Sequence, residues 1–174
     1  MAASDAAELE TTAELVELTP GEVSARRWQL HVIALIVIGI DQLTKTWAVG
    51  ALSDGTIHEG PFGSQLRLVY NTGSAFSLGA GLGPVFAVLA IAVSIAMFFI
   101  VRRIESRAVV FGLGLVQGGA LGNVLDRMFR DGDGFLRGPV VDFLEAGDWW
   151  PVFNIADVAI VVGGIIVVLL GSRE

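Results

Sequence analysis

Phe153-Asn154-Ile155-Ala156-Asp157-Val158-Ala159-Ile160-Val161-Val162-Gly163-Gly164-Ile165-Ile166-Val167-Val168-Leu169-Leu170 decides the class of this chain. From Ile155 to Leu170 the only charged group is Asp157. A run of about 18 apolar residues, rising 1.5 Å each, is a membrane-span candidate for a hydrocarbon core about 30 Å thick. A carboxylate at that depth is costly by a few kcal/mol on insertion scales, so it calls for a functional explanation. Asn154 stands three residues earlier, on the same helical face. Its plainest role is a helix cap. Its functional one is to orient a carboxylate or a substrate carbonyl.

Moving outward, the same mixture recurs. Residues 108–125 form an apolar run closed by Asn123, Asp126 and Arg127. Residues 28–50 form another, interrupted by Asp41 and Lys45. Residues 83–101 form a fourth, entered by Pro84, which a first helical turn tolerates. The chain has 174 residues, 53% hydrophobic and 17% charged, less charge than a soluble domain carries. The expectation is one α-helical membrane domain of four spans over residues 28–171, followed by a short end at 172–174. Net charge is −7, which argues against nucleic acid as a partner. With no cysteine there is no disulfide, thiolate metal site, cysteine nucleophile or acylation site.

Residues 1–27 precede the first span. Met1 to Val23 holds six acidic groups and no basic one, a composition expected of a disordered or loosely helical tail outside the membrane. It lacks the basic start and directly following apolar core of a signal peptide. Arg26 and Arg27 lie before the first span, Arg102, Arg103 and Arg107 between the second and third, and Arg173 after the fourth. The positive-inside rule then places both termini in the cytoplasm. Residues 51–82 and 128–152 fall on the opposite, extracytoplasmic side. Gln65-Leu66-Arg67-Leu68-Val69-Tyr70 alternates as a strand does, which suggests a small sheet near the lipid surface. Trp149 and Trp150 fit an interfacial anchor. Glycines 114, 118 and 122 lie four apart, a spacing that lets helices approach closely.

Asp142, in Val140-Val141-Asp142-Phe143, shares its membrane boundary with Asp157. Two carboxylates in one dry site do not both ionise easily. Such a pair activates water and protonates a leaving amine, the work of aspartic proteolysis. A helix N-terminus favours negative charge at Asp157. The bland alternative is a cap and a solvated loop acid. Asn123, Asp126 and Arg127, at i, i+3 and i+4, face one way and form either a polar shell for a substrate backbone or interfacial charge. Asp41 and Lys45, one turn apart, read first as a structural pair. Lys45 as base for Ser74 or Ser77 is a different hydrolase chemistry, but neither serine lies in a nucleophile elbow. His31 and His58 are isolated, so a zinc site is not expected. Asp131-Gly132-Asp133-Gly134 lacks the further ligands of a calcium loop.

Taken together the motifs resemble the bacterial lipoprotein signal peptidase, or signal peptidase II, family. They are Asp41-Gln42-Leu43-Thr44-Lys45, Asn71-Thr72-Gly73-Ser74-Ala75-Phe76-Ser77, Gly118 through Arg127, Val140-Val141-Asp142-Phe143 and Phe153 through Asp157. The resemblance implies four transmembrane helices with a small extracytoplasmic β-cradle, in the bacterial inner membrane. It implies an aspartyl endopeptidase that removes signal peptides from diacylglyceryl-modified prolipoproteins, cutting before the lipidated cysteine. It implies catalysis by Asp142 and Asp157, supported by Asp41, Lys45, Asn71, Gly73, Asn123, Asp126, Arg127 and Asn154. It also implies no metal or other cofactor, contact with membrane lipids, and inhibition by the cyclic peptide globomycin. A monomer is compatible with all of this. Two departures stand out: the acidic tail before Arg26, and the long stretch 128–139. The competing class is a small proton- or solute-conducting protein, which needs acids along the whole membrane path, whereas the acids here cluster at one face.

Overall fold

The computed structural model describes residues 19–73, 82–147 and 150–171. Among these residues four α-helices and a three-stranded antiparallel sheet carry the fold. Helix α1 is Pro20–Leu52, β1 His58–Glu59, β2 Gln65–Asn71, α2 Gly83–Ile100, α3 Arg107–Phe129, β3 Val140–Glu145 and α4 Ile155–Gly171. Three helices, α1, α2 with the turn after it, and α3, are long and apolar enough to cross a membrane. The fourth, α4, is apolar but only 17 residues long.

The expected first span, starting at Trp28, is too short. Thr19 caps α1 with a reciprocal bond to Glu22, and Pro20 occupies the first helical position. This box and a pre-set proline start a helix well upstream of the apolar run. Residues 20–27, placed by composition in a tail expected to be disordered or loosely helical, form the regular first turns of this helix. The rest of that tail lies outside the described residues. At 33 residues α1 is roughly 50 Å long, more than the hydrocarbon core needs. The third span also runs further than expected, to Phe129, so Asp126 and Arg127 belong to its last turn.

Helix α3 is the centre of the bundle and packs on α1, α2 and α4. Half of its apolar window is buried, against 17% for α2. Glycine makes this possible. A methyl group on Gly118 would lie 2.7 Å from the carbonyl oxygen of Ala34, and one on Gly114 2.9 Å from Cβ of Ile33. One on Gly122 would meet Oδ2 of Asp41 at 2.6 Å. The 114/118/122 stripe thus seats α1. A second set, Gly112 and Gly119 with Gly163 of α4, seats α4 by the same device. That set has no four-residue period and escapes a search for one.

The sheet order is β1-β2-β3. Val141 and Phe143 point from β3 onto Ala48 and Leu52 at the end of α1. Alternation turns Asp142 to the other face. In the register Val69 opposes Asp142, so Asn71, two residues along β2, is its diagonal neighbour. An isolated bridge between Leu144 and Phe153 fastens the approach to α4 alongside β3. This sets Asn154 beside Asp142. Between α3 and β3 the stretch 128–139 turns through Gly132 and Gly134, and buried Leu136 packs against Ala87 and Val124.

Candidate active site

Asn154 is fully buried and opens α4. Its side-chain oxygen accepts the Asp157 N–H at 3.1 Å, and Oδ2 of Asp157 accepts the Asn154 N–H at 3.1 Å. This is a capping box with asparagine as cap and an aspartate three residues on. The remaining arm of Asn154, Nδ2, donates to Oδ1 of Asp142 at 2.7 Å and to Oδ1 of Asn123 at 3.1 Å. One residue therefore holds both acids, Asp142 through its side-chain amide and Asp157 through its backbone N–H.

The other carboxylate oxygens are also met by amides. Asn71 donates to Oδ2 of Asp142 at 2.9 Å, and Asn123 donates to Oδ1 of Asp157 at 2.9 Å. All four oxygens of the pair accept an N–H hydrogen, from Asn71, Asn123 and Asn154 together. Burial, opposed by the Asn71 bond and aided by the Asp157 charge, pushes the Asp142 carboxyl up to about 6.

Beneath this layer lies an ionic one. The Lys45 ammonium donates to Asp41 at 2.8 Å, to Asp126 at 2.9 Å and to Asn123 at 2.9 Å. Its three hydrogens are thus matched by three acceptors. The expected Asp41–Lys45 pairing is present, with Asp126 as a second carboxylate. Lys45 as a free base for a serine has no support in this geometry, and Ser74 and Ser77 lie outside the described residues. Oδ1 of Asp41 accepts the Ala156 N–H at 3.0 Å, and Oδ2 of Asp126 accepts the Val141 N–H at 3.1 Å. Each supporting acid grips the backbone immediately before one member of the Asp142/Asp157 pair.

Arg127 does not pair with Asp126, its neighbour in sequence, because successive helical residues diverge. Asp126 pairs instead with Arg130 at 2.8 Å. Arg127 reaches the Gly73 carbonyl at 2.8 Å, and the Gly73 N–H donates to Oδ1 of Asn71 at 3.0 Å. Arg127 thereby steadies the loop that aims Asn71 at Asp142. All ten residues singled out in the sequence meet in this one network. Two members were missed: Arg130, and Gln42, whose amide reaches Asp41, Asp126 and the Gly122 carbonyl at 3.1–3.3 Å. The signal for Gln42 was a polar residue beside Asp41 in an otherwise apolar helix.

Apolar cavities flank the site. One of about 200 Å³ lies between Ala87, Ala90, Ala120 and Ile160, with Asn123 and Arg127 in its wall. Another of about 190 Å³ lies along Trp150, Phe153 and Val161 and touches Asp157.

Fold and site together define a helical membrane protein with a polar, carboxylate-bearing pocket at one end of its bundle. A family model described as signal peptidase (SPase) II matches residues 33–172, and the chain belongs to that family. It is accordingly a protease of the bacterial inner membrane that acts on signal peptides. The lipoprotein signal peptidase of Rhodococcus jostii (strain RHA1) is 46% identical over 147 residues, covering 83% of this chain and 73% of that protein. That of Mycobacterium leprae (strain Br4923) is 42% identical over 158 residues, covering 89% of this chain and 77% of that protein. A bacterial membrane enzyme solved by the in meso method at 2.3 Å superposes with a TM-score of 0.68 at 26% identity, covering 82% of this chain and 86% of that one.

Proposed function

We propose that Asp142 and Asp157 hydrolyse the peptide bond before a diacylglyceryl-modified cysteine in prolipoproteins, by an aspartyl mechanism. The observation that carries this reading is Asn154, which holds both acids at once. Asp157 takes a proton from water as its oxygen attacks the scissile carbonyl. Asp142, buried and raised toward neutrality, gives its proton to the departing amide nitrogen. The C–N bond breaks, releasing a carboxyl on the signal peptide and an amine on the lipidated cysteine. Asn71, Asn123 and Asn154 position the acids, Arg127 and Gly73 hold Asn71, and Lys45, Asp41 and Asp126 support the layer beneath.

The apolar cavities beside the acids suit a substrate that arrives sideways from the bilayer. Burying acyl chains is worth roughly 0.8 kcal/mol per methylene, a strong preference for the lipid-modified form. The arginines at the far end of α1 and α3 orient the protein with both termini cytoplasmic and the site extracytoplasmic. Inhibition by globomycin-like cyclic peptides belongs to the same reading, and a monomer is compatible with it. Proton conduction has less to offer: toward the opposite end the core becomes Leu30, Val101 and Val110.

The test is cleavage of one prolipoprotein by the purified protein, with and without the diacylglyceryl group. The modified form should be cut far faster, and Asp142→Asn and Asp157→Asn should each be inactive while folded. Equal rates for the two substrates, or near wild-type turnover by either variant, would overturn the proposal.

A further inference from the structure

The end of the bundle opposite the acids carries a second polar cluster that proteolysis leaves unused. Arg26 and Arg27 come from α1, Arg102 and Arg103 from the turn after α2, and Arg107 from the start of α3. The turn packs on α1 through Leu30, Val101 and Val110, which draws the three elements together. Gln29 adds a bond to the Arg107 carbonyl at 3.0 Å.

Two of these arginines are held in place by aromatic rings. The Arg27 guanidinium lies over Phe98 at 5.0 Å and that of Arg102 over Phe99 at 5.8 Å, while the two rings meet edge to face at 5.4 Å. Such stacking orders a guanidinium without neutralising it. Among the described residues no carboxylate forms an ion pair with any of the five. Of the acids nearest in sequence, Glu22 is bound to Thr19 in the cap of α1, where it attracts Arg26 and Arg107 without pairing with either, and Glu105, between Arg103 and Arg107, forms no ion pair among the described residues. Independently, Nη1 of Arg26 and Nε of Arg27 are buried with no hydrogen-bond acceptor. A buried donor without a partner costs free energy that an anionic oxygen would recover.

We infer that this cluster binds the phosphate of an anionic phospholipid in the leaflet opposite the active site. Guanidinium forks match phosphate oxygens in pairs. A lipid fits better than a free anion because exposed Trp28, Phe99 and Ile100 border the arginines and offer the chains an apolar bed. Basic pockets between spans are the usual seat of such headgroups.

The experiment uses the full chain in mild detergent and follows its melting as lipid is added. Short-chain phosphatidylglycerol should raise Tm saturably, while phosphatidylcholine and inorganic phosphate should not. In R27Q/R102Q the apparent affinity for phosphatidylglycerol should fall, by about fivefold per arginine removed. R103Q, an exposed single change, should show a smaller loss in the same direction. Unaltered cleavage of prolipoprotein by these variants checks that they are folded and correctly inserted, and separates this site from the proposed chemistry. An undiminished Tm shift in R27Q/R102Q, or no shift in the wild type, would overturn the inference. A full shift from inorganic phosphate would overturn the lipid as its source.

Discussion

The Lys45 ammonium donates to the side-chain carbonyl of Asn123 at 2.9 Å, and this bond settles which way the Asn123 amide faces. With its oxygen turned to Lys45 and Asn154, its nitrogen must point at Asp157. A cation that touches neither acid of the pair thus fixes a donor on one of them.

Lys45→Met should destabilise the protein strongly. It leaves Asp41 and Asp126, both essentially inaccessible, without their common cation. Breaking a buried pair from one side costs about 3–5 kcal/mol. Arg67→Met is the matched control, because its partnership with Glu145 is half exposed and worth about 0–1 kcal/mol. Denaturation of both variants in one detergent measures the difference. Equal losses would show that the Lys45 layer does not carry the stability assigned to it.

Asn154→Ala should slow cleavage by roughly a hundredfold or more and still leave activity, since it removes positioning bonds and not a proton-transfer group. It should also weaken the first turn of α4, whose cap it supplies, by about 1 kcal/mol. Asn154→Ser keeps a capping oxygen without the amide that reaches Asp142 and adds no charge beside it, so its stability should recover in part while its activity does not. Recovery of both in Asn154→Ser would deny the amide its proposed part.

Acidity offers a third check. The folded protein binds the Asp142 proton more tightly than the unfolded chain does, up to about 6 against an ordinary 3.8. Across that window the native state carries the extra proton. Stability therefore falls as pH rises through it and is level above, by on the order of 3 kcal/mol in all. Asp142→Asn should flatten this slope in denaturation measured across the pH series. With Asp142 as proton donor, kcat/KM should decline on the alkaline side, with a midpoint at or above 6. A profile that instead rises through that region would give Asp142 the role of base.

Gly118→Ala should loosen the bundle. The added methyl meets the Ala34 carbonyl at 2.7 Å, so α1 and α3 must separate, at a cost of about 1–3 kcal/mol. Gly164→Ala meets nothing within 4 Å and should be neutral or mildly stabilising, as alanine is the better helix former. Thermal unfolding of the two variants side by side reads the contrast. Similar behaviour would mean that the helices do not touch where the stripe lies.

Much of this was legible in the chain before any coordinates. Spans follow from apolar runs that have few alternatives in water or lipid, and the strand at Gln65 follows from its alternation. The acids were visible because charge in apolar sequence is conspicuous. What sequence concealed was partnership across distance. Lys45 and Asn123 are 78 positions apart, and no local period joins them. The same holds for the bond from Asp41 to Ala156, 115 positions away. The early start of α1 was missed because acidic composition was weighed above the Thr19–Glu22 box. The glycines facing α4 were missed because Gly112 and Gly119 are spaced by two turns and need Gly163 to complete them.

The reciprocal cap at Asn154 and Asp157 has one more consequence. On the proposed chemistry, the bonds that close the first turn of α4 are the bonds that aim its acid. Fraying of that turn would disarm the protease at once, before any loss of the bundle. A chain still threading into the bilayer, with its last helix unwound, would carry both aspartates and yet be harmless to the membrane proteins around it. Completion of the fold would be its own safety catch.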